Sequence, residues 1–125
     1  MSFEENYPIL KNDLLKSVNE FGSPLYVYDA ETIRRQFERL SKAFSGVKLK
    51  IKYACKANTN LEVMNYLRKL GAGLDVVSIE EAMIGIRAGY KAADILFTPN
   101  CVSFEEIKAA VEMGVTINID NISIL

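Results

Sequence analysis

The sequence predicts an α/β fold of parallel strands joined by helical crossovers, and three observations carry that prediction. From residue 47 onward the apolar periodicity switches between the extended and the helical pattern at regular distances. Three helical stretches open with Ser or Thr followed three positions later by Glu, the pattern of a capping box: Thr59 with Glu62, Ser78 with Glu81, and Ser103 with Glu106. The same three run into Gly71, Gly89 and Gly114, where a helix needs a left-handed residue to stop. Such alternation with short connections means parallel strands, in an open sheet or in a closed barrel, and periodicity does not choose between the two.

Before that repeat, Leu10, Leu14, Leu15, Val18 and Phe21 form a helical face that Gly22-Ser23-Pro24 ends. A short extended run, Leu25–Tyr28, follows. Asp29 is then an N-cap for a helix over Ala30–Phe44, whose Ile33, Phe37, Leu40 and Phe44 share one side, and Gly46 closes it. Strands are expected at Lys48–Ala54, Gly73–Val77, Ile95–Phe97 and Val115–Ile119, alternating with helices at Leu61–Leu70, Ile79–Ala88 and Phe104–Met113. The fourth strand ends near Asp120, and Asn121–Leu125 reads as the opening of a further helix, so the text is expected to stop part-way through its architecture.

Composition narrows the chemistry. A chain of 125 residues is expected to hold one domain, and 15 Lys+Arg against 16 Asp+Glu leave a net charge of -1, with no electrostatic footprint for nucleic acid or an anionic membrane surface. No apolar run approaches the roughly 18 residues of a membrane span. Met1–Asn6 is acidic where a secretory signal is positive, so the expectation is a cytoplasmic protein with nothing cleaved. Histidine is absent, which removes the usual general base and any His-based metal site. Cys55 and Cys101 are too far apart for a CxxC motif and are expected as free thiols. Cys101 follows the third strand on the functional face, with no partner identifiable to activate it.

The segment Tyr53-Ala54-Cys55-Lys56-Ala57-Asn58 ends the first strand of the repeat, and reacting groups in (β/α) folds sit at the carboxyl ends of strands. Alternation puts Lys50, Lys52, Ala54 and Lys56 on one face, directed inward, and Leu49, Ile51, Tyr53 and Cys55 on the other, towards the helices. Parity does not separate Lys56 from Lys52; position at the strand end does. A solvated lysine is the plain reading of Lys56. An amine that forms a Schiff base with a carbonyl cofactor is the functional one.

That hexapeptide resembles the pyridoxal-phosphate lysine motif of the fold-type III decarboxylases, which share the alanine-racemase-like (β/α)8 TIM barrel. The resemblance extends over residues 22–125: Gly22-Ser23-Pro24-Leu25-Tyr26-Val27-Tyr28-Asp29 is similar to the segment leading into the barrel, Gly71-Ala72-Gly73-Leu74-Asp75-Val76-Val77-Ser78 to the second strand, and Phe97-Thr98-Pro99-Asn100 and Ile117-Asn118-Ile119-Asp120 to the third and fourth strand ends. It implies that residues 1–24 are an N-terminal helical segment and 25–125 the first part of the cofactor-binding barrel domain, about half of the barrel. It implies pyridoxal 5'-phosphate as cofactor, with Lys56 as the Schiff-base lysine, Asp75 holding or orienting that amine, and Ala54 leaving room beneath the ring. For Asp75, an aspartate at a strand end beside a capping serine remains the structural alternative.

The implied activity is decarboxylation of an amino acid, meso-diaminopimelate to lysine foremost, by a homodimer. Other basic amino acids stay open as substrates, as does a racemase or carrier relative, although Thr59-Asn60-Leu61 reads as decarboxylase. Where the family commonly has Ser-Gly-Gly-Glu, this chain has Ser78-Ile79-Glu80-Glu81, and helix capping accounts for Ser78, Glu80 and Glu81. A full barrel needs roughly 250 residues. The family's phosphate-binding loop, pyridine-nitrogen carboxylate, ring-stacking histidine and cross-dimer cysteine are therefore expected outside this sequence, and the piece alone is expected to be inactive. The competing reading is a half-barrel that self-associates without activity, exposing two strand edges. A doubly wound sheet is disfavoured because no GxGxxG or P-loop pattern follows a strand.

Overall fold

The computed structural model describes residues 9, 11–119 and 121–122. Two helices, α1 (Lys11–Phe21) and α2 (Ala30–Ala43), precede the sheet, and neither has a buried residue. Asp29 caps α2 as expected, its Oδ1 accepting from the Glu31 amide at 3.0 Å. Strands β1 (Lys52–Ala54), β2 (Gly73–Val76), β3 (Ile95–Phe97) and β4 (Thr116–Ile117) then alternate with α3 (Leu61–Lys69), α4 (Ile79–Arg87) and α5 (Phe104–Met113).

The four strands form one sheet, all parallel, in the order β1-β2-β3-β4. Each strand lies beside its neighbour in sequence. A doubly wound sheet reverses direction at a switch point, whereas a barrel adds strands in order, so this topology is that of a barrel. Four strands are half of the eight that such a barrel closes with.

Alternation along the strands divides the molecule into two faces. Leu74, Val76, Ile95 and Phe97 are fully buried and meet Met64 of α3, Ala82 of α4, and Ile107 and Ala110 of α5 in a single core. Burying such side chains stabilises by about 1.5–3 kcal/mol each. Gly85 lets α4 settle on the sheet, since a Cβ there would stand 2.4 Å from Leu74 Cδ2 and 3.2 Å from Ile95 Cδ1. Tyr90 is buried with its hydroxyl donating to the Met64 carbonyl at 3.0 Å, which ties the start of the third unit to α3. The opposite face carries Lys52, Ala54, Asp75, Leu96 and Thr116, in register across the four strands.

The extended run Leu25–Tyr28 joins no sheet among the described residues, and Tyr26 is 88% exposed. Several expectations are corrected. Residues 48–51 lie outside β1. Gly73 donates to the Ile51 carbonyl at 2.9 Å and is where β2 begins, so earlier residues find no partner strand. The first strand closes at Ala54 as expected, but Lys56 lies beyond it on a turn, so strand alternation does not set its direction, and β4 covers only Thr116–Ile117 of the expected Val115–Ile119. Asn60, not Thr59, caps α3, accepting from the amides of Glu62 and Val63. Ser103 and Glu106 form the full reciprocal box on α5. On α4, Ser78 accepts from Glu81, but the Glu81 carboxylate reaches the Val77 amide instead. Leu10, Asp120 and the end of the helix expected over Asn121–Leu125 lie outside the described residues, as does Met1–Asn6.

Candidate active site

Three strand ends build the site. Just past β1, Cys55–Ala57 makes a single 3-10 turn, closed by the Asn58 amide donating to the Cys55 carbonyl at 3.1 Å. Tyr53 leans from the strand and donates its hydroxyl to the Asn58 carbonyl at 3.0 Å, clamping the same turn from outside. Cys55 is fully buried in the core and anchors the turn from within. Between these holds, Lys56 projects as an exposed residue with no ion pair or hydrogen bond among the described residues. Downstream, Asn58 Oδ1 accepts from the Asn60 amide at 2.9 Å, and Asn60 caps α3, so the lysine turn and that helix are set as one unit.

Strand β2 supplies Asp75, level with Ala54 and half-buried. Its Oδ1 accepts from the Thr98 hydroxyl at 2.6 Å, across the strand boundary from the end of β3. Ala54, Asp75 and Thr98 thus come together, and Lys56 stands two residues beyond Ala54. Sequence reasoning assigned no role to Thr98 or to the Tyr53 hydroxyl. The signal for Thr98 was its parity with Leu96, which is in register with Asp75.

Lys52 is the other inward lysine, and it is already engaged. Its amine donates to the Asp94 carbonyl at 3.0 Å, at the amino-terminal end of β3, while Lys50 pairs with the Asp94 carboxylate at 2.7 Å. Burial pushes the Lys52 amine below the usual lysine range and Lys50 adds to this, with Asp94 and Asp75 pulling the other way. The Lys50 hydrogen bond holds Asp94 below the usual carboxylate range. A shifted amine alone would single out Lys52, yet it faces the end of the sheet opposite to the loops. Burial also pushes the Cys55 thiol up to about 11, with the Glu81 carboxylate adding to it, so Cys55 is a core group and no nucleophile. Cys101 is exposed, with φ at 56° and a weak contact to Asn100 Oδ1 at 3.5 Å.

No group of three or more potential metal ligands occurs among the described residues. A cleft of about 400 Å³ between α2 and α3 is lined by Tyr28, Ile33, Val63 and Tyr66 and contains neither Lys56 nor Asp75. The lysine site is an open face at the strand ends.

The family model described as "Pyridoxal-dependent decarboxylase, pyridoxal binding domain" matches residues 30–125. The chain belongs to this family. Among pyridoxal-dependent decarboxylases, the diaminopimelate decarboxylase of Methanothermobacter thermautotrophicus is 44% identical over 111 residues, 87% of this chain and 26% of that protein. That of Methanocaldococcus jannaschii is 37% identical over 118 residues, covering 89% of this chain and 27% of its own. The crystal structure of the M. jannaschii enzyme in complex with L-lysine superposes with a TM-score of 0.80 at 36% identity, over 88% of this chain and 27% of that one. The lysine/ornithine decarboxylase of Vibrio vulnificus, complexed with putrescine, gives 0.82 at 26% identity, over 98% and 32%. The chain therefore spans about a quarter to a third of the length of these relatives. Its parallel sheet and surrounding helices are the first part of the decarboxylase barrel. Among the described residues, no helix is long and apolar enough to cross a membrane.

Proposed function

We propose that this chain is the lysine-bearing part of a pyridoxal-phosphate-dependent decarboxylase that converts meso-diaminopimelate to lysine and carbon dioxide. The observation that carries the reading is Lys56 on its clamped turn beyond β1, unpaired among the described residues, two residues past small Ala54, with which Asp75 is in register. These residues fit the cofactor's aldehyde end: a primary amine at the mouth, space next to it, and one negative charge to hold the amine. When bound, pyridoxal phosphate supplies an electron sink for the pair left behind as the α-carboxylate departs.

The chain's own residues then have separate tasks. Lys56 holds the cofactor and accepts or returns a proton at its amine Nζ. Asp75 directs that amine when it is free. Ala54 leaves the approach open from below. Tyr53 and buried Cys55 keep the turn from swinging away, which matters because misplacement by even 1 Å can cost about 100-fold in rate. The choice of meso-diaminopimelate rests on the curated relatives at 35–44% identity. Residues 1–24 lead into the barrel domain and 25–125 are its first part. The protein works as a homodimer on a small amino acid in the cytoplasm.

Carbon dioxide release by the full-length protein from meso-diaminopimelate, ornithine, arginine and lysine tests this directly. Turnover on meso-diaminopimelate, lost in Lys56→Ala and kept in Lys52→Ala, is the expected result. Preference for ornithine or lysine would move the substrate assignment to the other branch, and equal losses in the two variants would mean that position does not single out Lys56.

A further inference from the structure

We propose that Thr98 is a positioning residue for this reaction: its hydroxyl fixes the Asp75 carboxylate so that the carboxylate meets the Lys56 amine in one orientation. The inference rests on the assignment of Lys56 above and extends it to the third strand. Thr98 Oγ1 donates to Asp75 Oδ1 at 2.6 Å, within the short range of hydroxyl-to-carboxylate bonds. The donor itself is held. Although Thr98 lies one residue past β3, its amide donates to the Val76 carbonyl at 2.8 Å, so it continues the ladder against β2. It shares the parity of Leu96, which is in register with Asp75, and so falls on the inward face. A β-branched side chain has little freedom at χ1, which makes the hydroxyl a fixed donor.

A carboxylate alone on its strand rotates broadly about χ2, and a donor anchored in the next strand selects one setting. Three consecutive strand ends then act in series: β3 fixes Thr98, Thr98 fixes Asp75 on β2, and Asp75 is level with Ala54, two residues before Lys56 on β1's closing turn. Capping does not explain the hydroxyl, because Ser103 and Glu106 supply the cap of α5. Nor is it needed to satisfy a buried backbone group, since its acceptor is a side chain.

The test uses the full-length protein and four variants: Thr98→Val, Thr98→Ser, Asp75→Asn and the Thr98→Val/Asp75→Asn pair. Pyridoxal phosphate affinity is read from the visible absorbance of the protein adduct, and borohydride reduction with peptide mapping confirms that Lys56 carries it. Thr98→Val, of nearly equal shape, is expected to weaken the Lys56 adduct by about ten-fold, the range for one charge-assisted hydrogen bond. Thr98→Ser should stay within about two-fold of the parent, because it keeps the donor. In the Asp75→Asn background, Thr98→Val should cause no further loss, since the negative charge that Thr98 orients is gone even though Asn Oδ1 still accepts. A loss of equal size in both backgrounds, or a Thr98→Val protein that binds as the parent does, would overturn the proposal. Melting temperatures guard against misfolding, and should Thr98→Val melt early, failure of Thr98→Ser to retain affinity overturns it as well. Absence of the adduct from Lys56 in the parent protein overturns the lysine assignment itself, and the role of Thr98 with it. An adduct on Lys56 that ignores Thr98 removes only the latter.

Discussion

Each reactive side chain in this chain has its character set by one or two contacts. Lys56 and Cys55 are adjacent in sequence, yet one is exposed on a turn and the other is sealed in the core. The turn takes Lys56 past the end of the sheet while Cys55 stays in the core. The two cysteines differ in the same way, and this gives a simple prediction. At pH 8, iodoacetamide should modify Cys101 in the folded protein and leave Cys55 untouched, because burial removes access and holds its thiol protonated at about 11. Peptide mapping would show it, and modification of Cys55 at a rate equal to that of Cys101 would mean the turn is not anchored as described. At this scale the sequence placed Lys56 past the end of the first strand and was silent about what holds its turn. Strand-end position singles out Lys56, but a tyrosine hydroxyl reaching a carbonyl five residues on follows no pattern of periodicity.

The elements were legible in kind and less so in extent. All three helices of the repeat occur where periodicity and glycine stops placed them, since amphipathic spacing and caps are local properties. Strand lengths depend on a neighbour, and this is why seven residues expected over Lys48–Ala54 reduce to Lys52–Ala54. The start of α3 shows local chemistry in competition with itself. Both Thr59 and Asn60 can cap, and Asn60 wins because its own amide is held by Asn58, which turns the Asn60 side chain onto Glu62 and Val63. Asn60→Ala should therefore lower stability by about 1 kcal/mol in urea unfolding, whereas Thr59→Ala should stay within about 0.5 kcal/mol of the parent. The reverse order would restore Thr59 as the cap.

On the scale of the molecule, the consecutive order of four parallel strands distinguishes a barrel from a doubly wound sheet, a choice that periodicity alone left open. Barrel geometry demands close approach at the amino-terminal end of the inward face. Gly73 meets that demand: a Cβ there would stand 2.8 Å from the Asp94 carbonyl oxygen and 3.2 Å from Lys52 Nζ. Gly73→Ala should open the Lys52–Asp94 contact and cost about 1–3 kcal/mol, read as a lower urea midpoint, while leaving the Lys56 turn at the far end of the sheet intact. An unchanged midpoint would mean that the strands have room to spare there. Lys52 is thus a structural bridge at the amino-terminal end of β1, and the Lys56 turn lies beyond its other end.

The most direct measurement is to incubate the full-length protein with pyridoxal phosphate, reduce it with borohydride, digest it and identify the modified lysine by mass spectrometry. The account predicts a single dominant label on Lys56, with Lys52 unlabelled because its amine is occupied by the Asp94 carbonyl. A label on Lys52, or one spread evenly over the exposed lysines, would contradict it.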